Sequence, residues 1–244
     1  MSLCCIKEGV WYNLVNVSDI IRPWLVKVFE YWEPDTFKVF RYCANRDATA
    51  IDIGAYIGLT PIWLCQNFKH VVCVEADFKA ADSLRCNLLA SLCSGYSIIQ
   101  KAIYSQSNLE LLFGPNAFLK SDTLNDSTSQ LKQQSCSKED YLVGTIKLCD
   151  LNVDFSNVAF IKVDIEGGEE NIVPDLFEIC NEHKILLYIS FHTTWWQNTG
   201  VERFERYFNL AERVYQNGLE PNTGVVEYLK ANPFGSLLFE FKTD

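Results

Sequence analysis

The chain of 244 residues has one methionine, three histidines and no Cys-x-x-Cys pair. No stretch approaches the roughly 20 apolar residues of a membrane span. The start has no charged segment followed by an apolar one, as a secretory leader would. Lys/Arg-rich runs are also missing, and the formal net charge is −10. A surface of that sign repels phosphate backbones, so nucleic acid is a poor substrate, and a soluble cytosolic protein is expected with no membrane partner. Ten cysteines are present. They are scattered through apolar periodic segments, as Cys65, Cys73, Cys86, Cys93 and Cys180 illustrate, which suits reduced thiols used as small buried residues and not a disulfide or zinc framework.

What is present is the balance of a packed protein, with 48% hydrophobic, 14% aromatic and 21% charged residues. From Ala50 onward, short β-branched runs alternate with helical patterns, the signature of a parallel sheet with helices on both faces. Strands are expected at Ala50–Ile53, Val71–Glu75, Tyr96–Gln100, Ala159–Asp164 and Ile185–Phe191. Thr60 and Pro61 suit the N-cap and first position of a helix. Phe78, Ala81, Leu84, Leu88 and Leu92 give the next helix one apolar face. An amphipathic segment, Val201–Asn217, precedes strand-like runs at Val225–Leu229 and Ser236–Phe241, read as a hairpin closing one edge of the sheet. The organisation expected is an N-terminal helical cap over residues 1–46, with Ser18 as N-cap of a helix over Asp19–Tyr31, and one α/β domain over 47–244. Residues 120–140, rich in Ser, Gln, Thr and Asp, read as an insertion loop.

In open α/β sheets ligands bind beyond the carboxyl ends of the strands. Here those ends carry Asp52, Glu75, Asp164 and His192. The first turn, Asp52-Ile53-Gly54-Ala55-Tyr56-Ile57-Gly58-Leu59-Thr60, has small residues at Gly54, Ala55 and Gly58 that let backbone approach a ligand. It is GxxxG and not the GxGxxG of dinucleotide sites, and an aspartate beside it suits a ligand bearing positive charge. Glu75, 17 residues after Gly58, stands where a carboxylate accepts both hydroxyls of a nucleoside ribose. Ala76 and Asp77 follow it.

The run Ile51-Asp52-Ile53-Gly54-Ala55-Tyr56-Ile57-Gly58-Leu59-Thr60 resembles a motif of the FkbM methyltransferase family. Ile161-Lys162-Val163-Asp164-Ile165-Glu166-Gly167-Gly168-Glu169 resembles that family's second and more diagnostic motif, and Val74-Glu75-Ala76-Asp77 with Leu84 and Asn87 fits its second strand and helix. Where the family often has Thr-Leu-Asp, this chain has Leu148-Cys149-Asp150. The resemblance spans about Ala50 to His192. It implies the class I methyltransferase fold, a Rossmann-like seven-stranded, mostly parallel sheet, and methyl transfer from S-adenosylmethionine to a hydroxyl of a sugar, polyketide or other small molecule. Asp52, Gly54, Ala55, Tyr56, Gly58, Leu59, Glu75, Ala76, Asp77 and Ala102 are then the candidate cofactor-binding residues.

Asp164 is expected to serve as general base, to orient the acceptor hydroxyl, or to ligate Mg²⁺ or Mn²⁺ together with Glu166. His192, with a near-neutral pKa, is a second candidate base. Lys162 inside a buried strand requires a carboxylate partner, Asp52 or Asp164, and reads as structural. Trp195 and Trp196 either stack on a sugar ring or pack under the N-terminal segment. Two rival readings are an NAD-dependent oxidoreductase, disfavoured by the missing GxGxxG, and an inactive cofactor-binding scaffold.

Overall fold

The computed structural model describes residues 2–115, 129–132, 134–135, 138–196 and 200–242. The chain opens with an antiparallel hairpin of β1 (Leu3–Lys7) and β2 (Val10–Leu14), then α1 (Arg22–Lys27) and α2 (Pro34–Cys43). The alternating core follows as β3 (Asn45–Ile53), α3 (Pro61–Asn67), β4 (Phe68–Val74), α4 (Phe78–Ala90) and β5 (Tyr96–Ile99). An arm of four short strands comes next, β6 (Ala102–Ile103), β7 (Glu110–Gly114), β8 (Gln130–Lys132) and β9 (Tyr141–Ile146), ordered β6-β9-β7-β8. The core resumes with β10 (Val158–Val163), α5 (Val173–His183), β11 (Leu186–Ser190), α6 (Glu205–Phe208), β12 (Ala211–Gln216), β13 (Glu220–Pro221), α7 (Val225–Ala231) and β14 (Ser236–Phe241). The main sheet is ordered β13-β12-β14-β11-β10-β3-β4-β5. Its central strands are parallel, and β14 runs antiparallel between β11 and β12.

Successive side chains along each central strand point to opposite faces, so one strand feeds two cores. Ile51, Ile53, Ile161, Val163, Leu187 and Ile189 pack with α5 and α6 on one face. Ala50, Val71, Phe160, Tyr188 and Leu238 pack on the other against α2, α3, α4 and the N-terminal hairpin. Tyr12, Leu14, Phe29, Phe37 and Phe40 belong to that second core, so the N-terminal segment is welded to the sheet by aromatic packing. Among the described residues no helix is long and apolar enough to cross a membrane.

Three local expectations are corrected. The cap is not wholly helical: residues 3–14 form the hairpin, and the expected Asp19–Tyr31 helix shrinks to α1 and one 3-10 turn. Pro23 sits in the first positions of α1, which therefore starts a turn beyond Ser18, and Ile21 is its N-cap. At the C-terminal end, Val225–Ala231, expected as strand, is helix, burying Val226 and Leu229 three residues apart, while Ala211–Gln216, inside the expected amphipathic segment, is strand. β14 needs a partner on its outer edge, and tertiary pairing there overrides the amphipathic period. Within the expected loop, residues 130–132 form β8, and 120–128, 133 and 136–137 lie outside the described residues.

Candidate active site at the strand ends

The carboxyl ends of β3, β4, β10 and β11 open into one cavity of about 640 Å³, roofed by the N-terminal segment and flanked by the β6–β9 arm. The turn after β3 is tied down first: the amides of Gly54 and Ala55 donate to Val74 O (2.9 and 3.1 Å), and Asp164 N donates to Ile53 O (3.0 Å). Gly54 has φ +81°, and a Cβ there would fall 1.8 Å from the Asp164 carbonyl oxygen. The glycine is thus required by the close approach of β3 and β10, a different reason from ligand access. Gly58, φ +100°, faces Leu84 of α4 instead.

At the β4 end, Glu75 is 8% exposed and each carboxylate oxygen accepts one backbone amide: Tyr56 N at 2.7 Å and Asp77 N at 2.8 Å. Burial pushes its carboxyl up to about 7, against the pull of those two amides. Asp77 caps α4, accepting from the amides of Lys79 and Ala80. Ala76, Ala102, Ala55, Tyr56 and Leu59 line the same cavity.

Asp52 and Lys162 are register partners on adjacent strands and form a buried ion pair, 3.1 Å. Lys162 Nζ also donates to Gly54 O at 2.9 Å and stands 3.7 Å from Asp164. Burial opposes the lysine's charge, but Asp52 and Asp164 outweigh it and hold its pKa above the ordinary value. Thr60 is the N-cap of α3, yet its hydroxyl donates to Asp52 (2.6 Å) and not to the helix. Asp52 and Gly58 lie outside the cavity lining, behind its wall; Lys162 lines it.

At the β10 and β11 ends, Asp164, Glu166 and His192 meet. His192 Nε2 is 3.4 Å from Glu166 and 3.8 Å from Asp164, and its Nδ1 is 3.1 Å from Glu169. Ligand atoms of Asp164, Glu166 and His192 all fall within 4.8 Å of one another. Burial disfavours the imidazolium, but the Glu169 hydrogen bond and the charges of Glu169, Asp164 and Glu166 raise His192 to about 9. The near-neutral imidazole expected from the sequence is thus corrected: three carboxylates keep the ring protonated at neutral pH.

Glu169, which the sequence marks only as the end of the second motif, organises this corner. Fully buried, it accepts from the amides of Ile165 and Gly167 (3.3 and 3.1 Å), from His192, and from Trp196 Nε1 (3.2 Å). A glutamate two residues after a left-handed Gly167 is the signal that points to it, since a buried carboxylate must be paired. Trp196 packs between Phe191 and Phe204, and Trp195 stacks on the His192 ring at 5.2 Å. Neither indole lines the cavity.

The N-terminal cap supplies much of the remaining wall, through residues that the sequence did not single out. Ile20, Ile21, Trp24, Trp32 and Glu33 of the N-terminal segment and Ser190, Phe234 and Ser236 all line the cavity. Glu33 has φ +46°, just before Pro34. The turn holding it is pinned by Lys7 Nζ, which donates to Glu30 O (3.2 Å) and Trp32 O (2.6 Å). Burial, reinforced by the Asp164 charge, pushes Glu33 up to about 7.

Residues 52–216, more than half of the chain, match the family described as the methyltransferase FkbM domain. Solved structures with a similar arrangement include methyltransferase FkbM from Methylobacillus flagellatus KT, at 16% identity and TM-score 0.49, covering 80% of this chain and 44% of that one. The chain thus spans less than half of that protein. M. jannaschii TYW2 in complex with AdoMet matches at 12% identity and TM-score 0.45, over 100% of this chain and 87% of that chain. Precorrin-6y C5,15-methyltransferase from Geobacter metallireducens GS-15 matches at 11% and 0.44, over 86% and 89%. No curated protein sequence matches the chain. The family match runs from the aspartate buried in β3 to the last residue of β12 and so encloses both motif turns and every strand end described above; the chain belongs to the FkbM methyltransferase family.

Proposed function

We propose that the chain transfers a methyl group from S-adenosylmethionine to a hydroxyl of a small-molecule acceptor, with a carbohydrate as the favoured class. The observation that carries this reading is the convergence of Glu75, Asp164, Glu166 and His192 on one cavity at the strand ends. The donor set fits the cofactor: each Glu75 oxygen holds a single amide and keeps a lone pair for a ribose hydroxyl, and the carboxylates suit a sulfonium and an ammonium. When bound, S-adenosylmethionine supplies an activated methyl on a positively charged sulfur.

The chain's own groups then divide the work. Glu75 anchors the ribose, with Ala55, Ala76 and Ala102 leaving room beside it. Asp164 accepts the hydrogen bond, and in the reaction the proton, of the acceptor hydroxyl. His192, protonated and steered by Glu169, holds the Asp164 and Glu166 carboxylates in place. Isotope transfer from methyl-labelled S-adenosylmethionine to a panel of simple glycosides tests the reading; cofactor binding without transfer to any alcohol would overturn it.

A second reading rests on its own observation, the three ligand atoms of Asp164, Glu166 and His192 within 4.8 Å of one another. Two carboxylates and an imidazole would hold Mg²⁺ or Mn²⁺, a cation that polarises an acceptor oxygen, and Glu169 would orient the imidazole as carboxylates do at such sites. Mn²⁺ titration followed by water-proton relaxation tests it. Binding lost in Glu166→Gln supports a cation site, and absence of binding to the wild type dismisses it.

A further inference from the structure

A second cavity, of about 590 Å³, adjoins the first, and Glu33, Phe234 and Ser236 line both. Its walls come from three separated parts of the chain: the first turn of α2, the end of β12 with the turn after it, and α7 with the turn into β14. Gly218 brings the turn after β12 against α2, and Gly235 packs the turn into β14 against α7. A Cβ on Gly218 would lie 2.5 Å from Asp35 Oδ1, and one on Gly235 would lie 2.7 Å from the Tyr228 ring. On the floor the Thr36 and Tyr188 hydroxyls share a hydrogen bond of 2.8 Å. At the threshold the Ser190 and Ser236 hydroxyls stand 3.1 Å apart, beside a Phe234 ring that is 57% exposed.

The chemistry of this groove is that of saccharide recognition. Half-buried Tyr215 and Tyr228 line it together with Asp35, Asn217 and Gln216, whose Oε1 accepts from Asn222 at 2.6 Å. Flat apolar faces ringed by acceptors and donors match a sugar's C–H face and its hydroxyls. A third, smaller groove of about 410 Å³ reaches the site from the other side at Leu131, Glu166 and Gly168; Leu111, Leu112 and Leu142 line it together with Trp195, Glu170 and Asn171, and its Lys132 is ion-paired with Asp140 at 2.6 Å.

We propose that the groove between α2, the β12–β13 turn and α7 is the acceptor subsite. It holds a carbohydrate-class acceptor and passes one hydroxyl between Glu33 and Ser236 into the cofactor cavity. The proposal rests on the O-methyltransferase reading above and adds which face of the molecule the acceptor uses. The pinned, left-handed turn at Glu33 then has a purpose: it sets one carboxylate at the junction, where it receives a hydrogen bond from the incoming sugar.

The test uses two substitutions that add bulk at exposed positions, Ala231→Trp in this groove and Leu142→Trp in the third, smaller one, in the full chain. The probes are methyl glycosides of glucose, galactose, mannose and rhamnose, followed by ligand-observed NMR for binding and by label transfer from S-adenosylmethionine. Ala231→Trp is expected to raise the KM, or the Kd, for the best glycoside tenfold or more, with S-adenosylhomocysteine affinity within twofold of wild type, and Leu142→Trp to change neither. The reverse pattern, no effect of Ala231→Trp, or no glycoside binding to the wild type overturns the subsite. Glycosides that bind in an Ala231-sensitive way but never take the label would leave the subsite standing and sink the methyl-transfer reading instead.

Discussion

The two ends of the cavity hold their carboxylates in opposite ways. At the β4 end, Glu75 is held by backbone: both oxygens accept main-chain amides, so the group moves only if the turns after β3 and β4 move. At the β10–β11 end, Asp164 and Glu166 face side chains, the Lys162 ammonium and the His192 ring, and the ring is steered by Glu169. Backbone-held charge is rigid and suits recognition of a fixed pattern of hydroxyls. Charge held by ionisable side chains can exchange a proton or a cation as a neighbour arrives, which is what chemistry at an acceptor oxygen requires.

Breaking the side-chain-held end has the largest expected cost. Lys162→Met leaves Asp52 buried without its partner, and loss of one member of such a pair costs about 3–5 kcal/mol; a fall of roughly 10 °C in melting temperature is expected, read by calorimetry. A shift of less than a few degrees would mean that Asp52 is neutral in the fold. Asp164→Asn comes next: kcat should fall about 10²-fold or more while S-adenosylhomocysteine affinity stays within a few-fold of wild type. Weakened cofactor affinity with unchanged kcat would assign Asp164 to binding and collapse the contrast.

Glu75→Ala should do the converse, weakening S-adenosylhomocysteine roughly 10–100-fold by isothermal titration, the worth of a hydrogen bond to charge, with kcat at saturating cofactor retained. The pH dependence sharpens the same point. Ribose hydroxyls donate to the ionised carboxylate, so the complex favours loss of the Glu75 proton that burial retains up to about 7 in the free protein. Affinity should therefore rise with pH towards 7 and level off above it, by at most about tenfold per unit, and Glu75→Gln should flatten that limb. Glu33, raised to a similar value at the other side of the cavity, would leave a residual slope in the mutant. The smallest effect expected is none at all: the nine described cysteines are free, so a reducing agent should not shift the melting temperature.

The parallel strands were legible because each is a short β-branched run flanked by helical periods, and β3, β4, β5, β10 and β11 fall where those runs do. The strand-end acids were legible because topology alone brings the carboxyl ends of parallel neighbours together. The sequence leaves Trp196 open between a sugar platform and a packed indole because an indole near a site in sequence carries no sign of which way it turns; in the fold its N–H is spent on Glu169. Glu33 and Trp32 were invisible for a related reason, since nothing near residue 33 says that Lys7, 25 residues before Trp32, will pin their turn beside the strand ends.

Local pattern by itself determined the α/β alternation, the two motif turns and the identity of the acids at the strand ends, because each depends on side-chain period or backbone freedom over a few residues. Tertiary structure alone decided the rest. Gly54 is a glycine because β10 arrives 1.8 Å from where its Cβ would be; residues 211–216 are strand because β14 offers an open edge; and His192 carries its proton because Glu166, Glu169 and Asp164 surround it. Each of these is a property of segments distant in the chain meeting in space, and no window of sequence contains both partners.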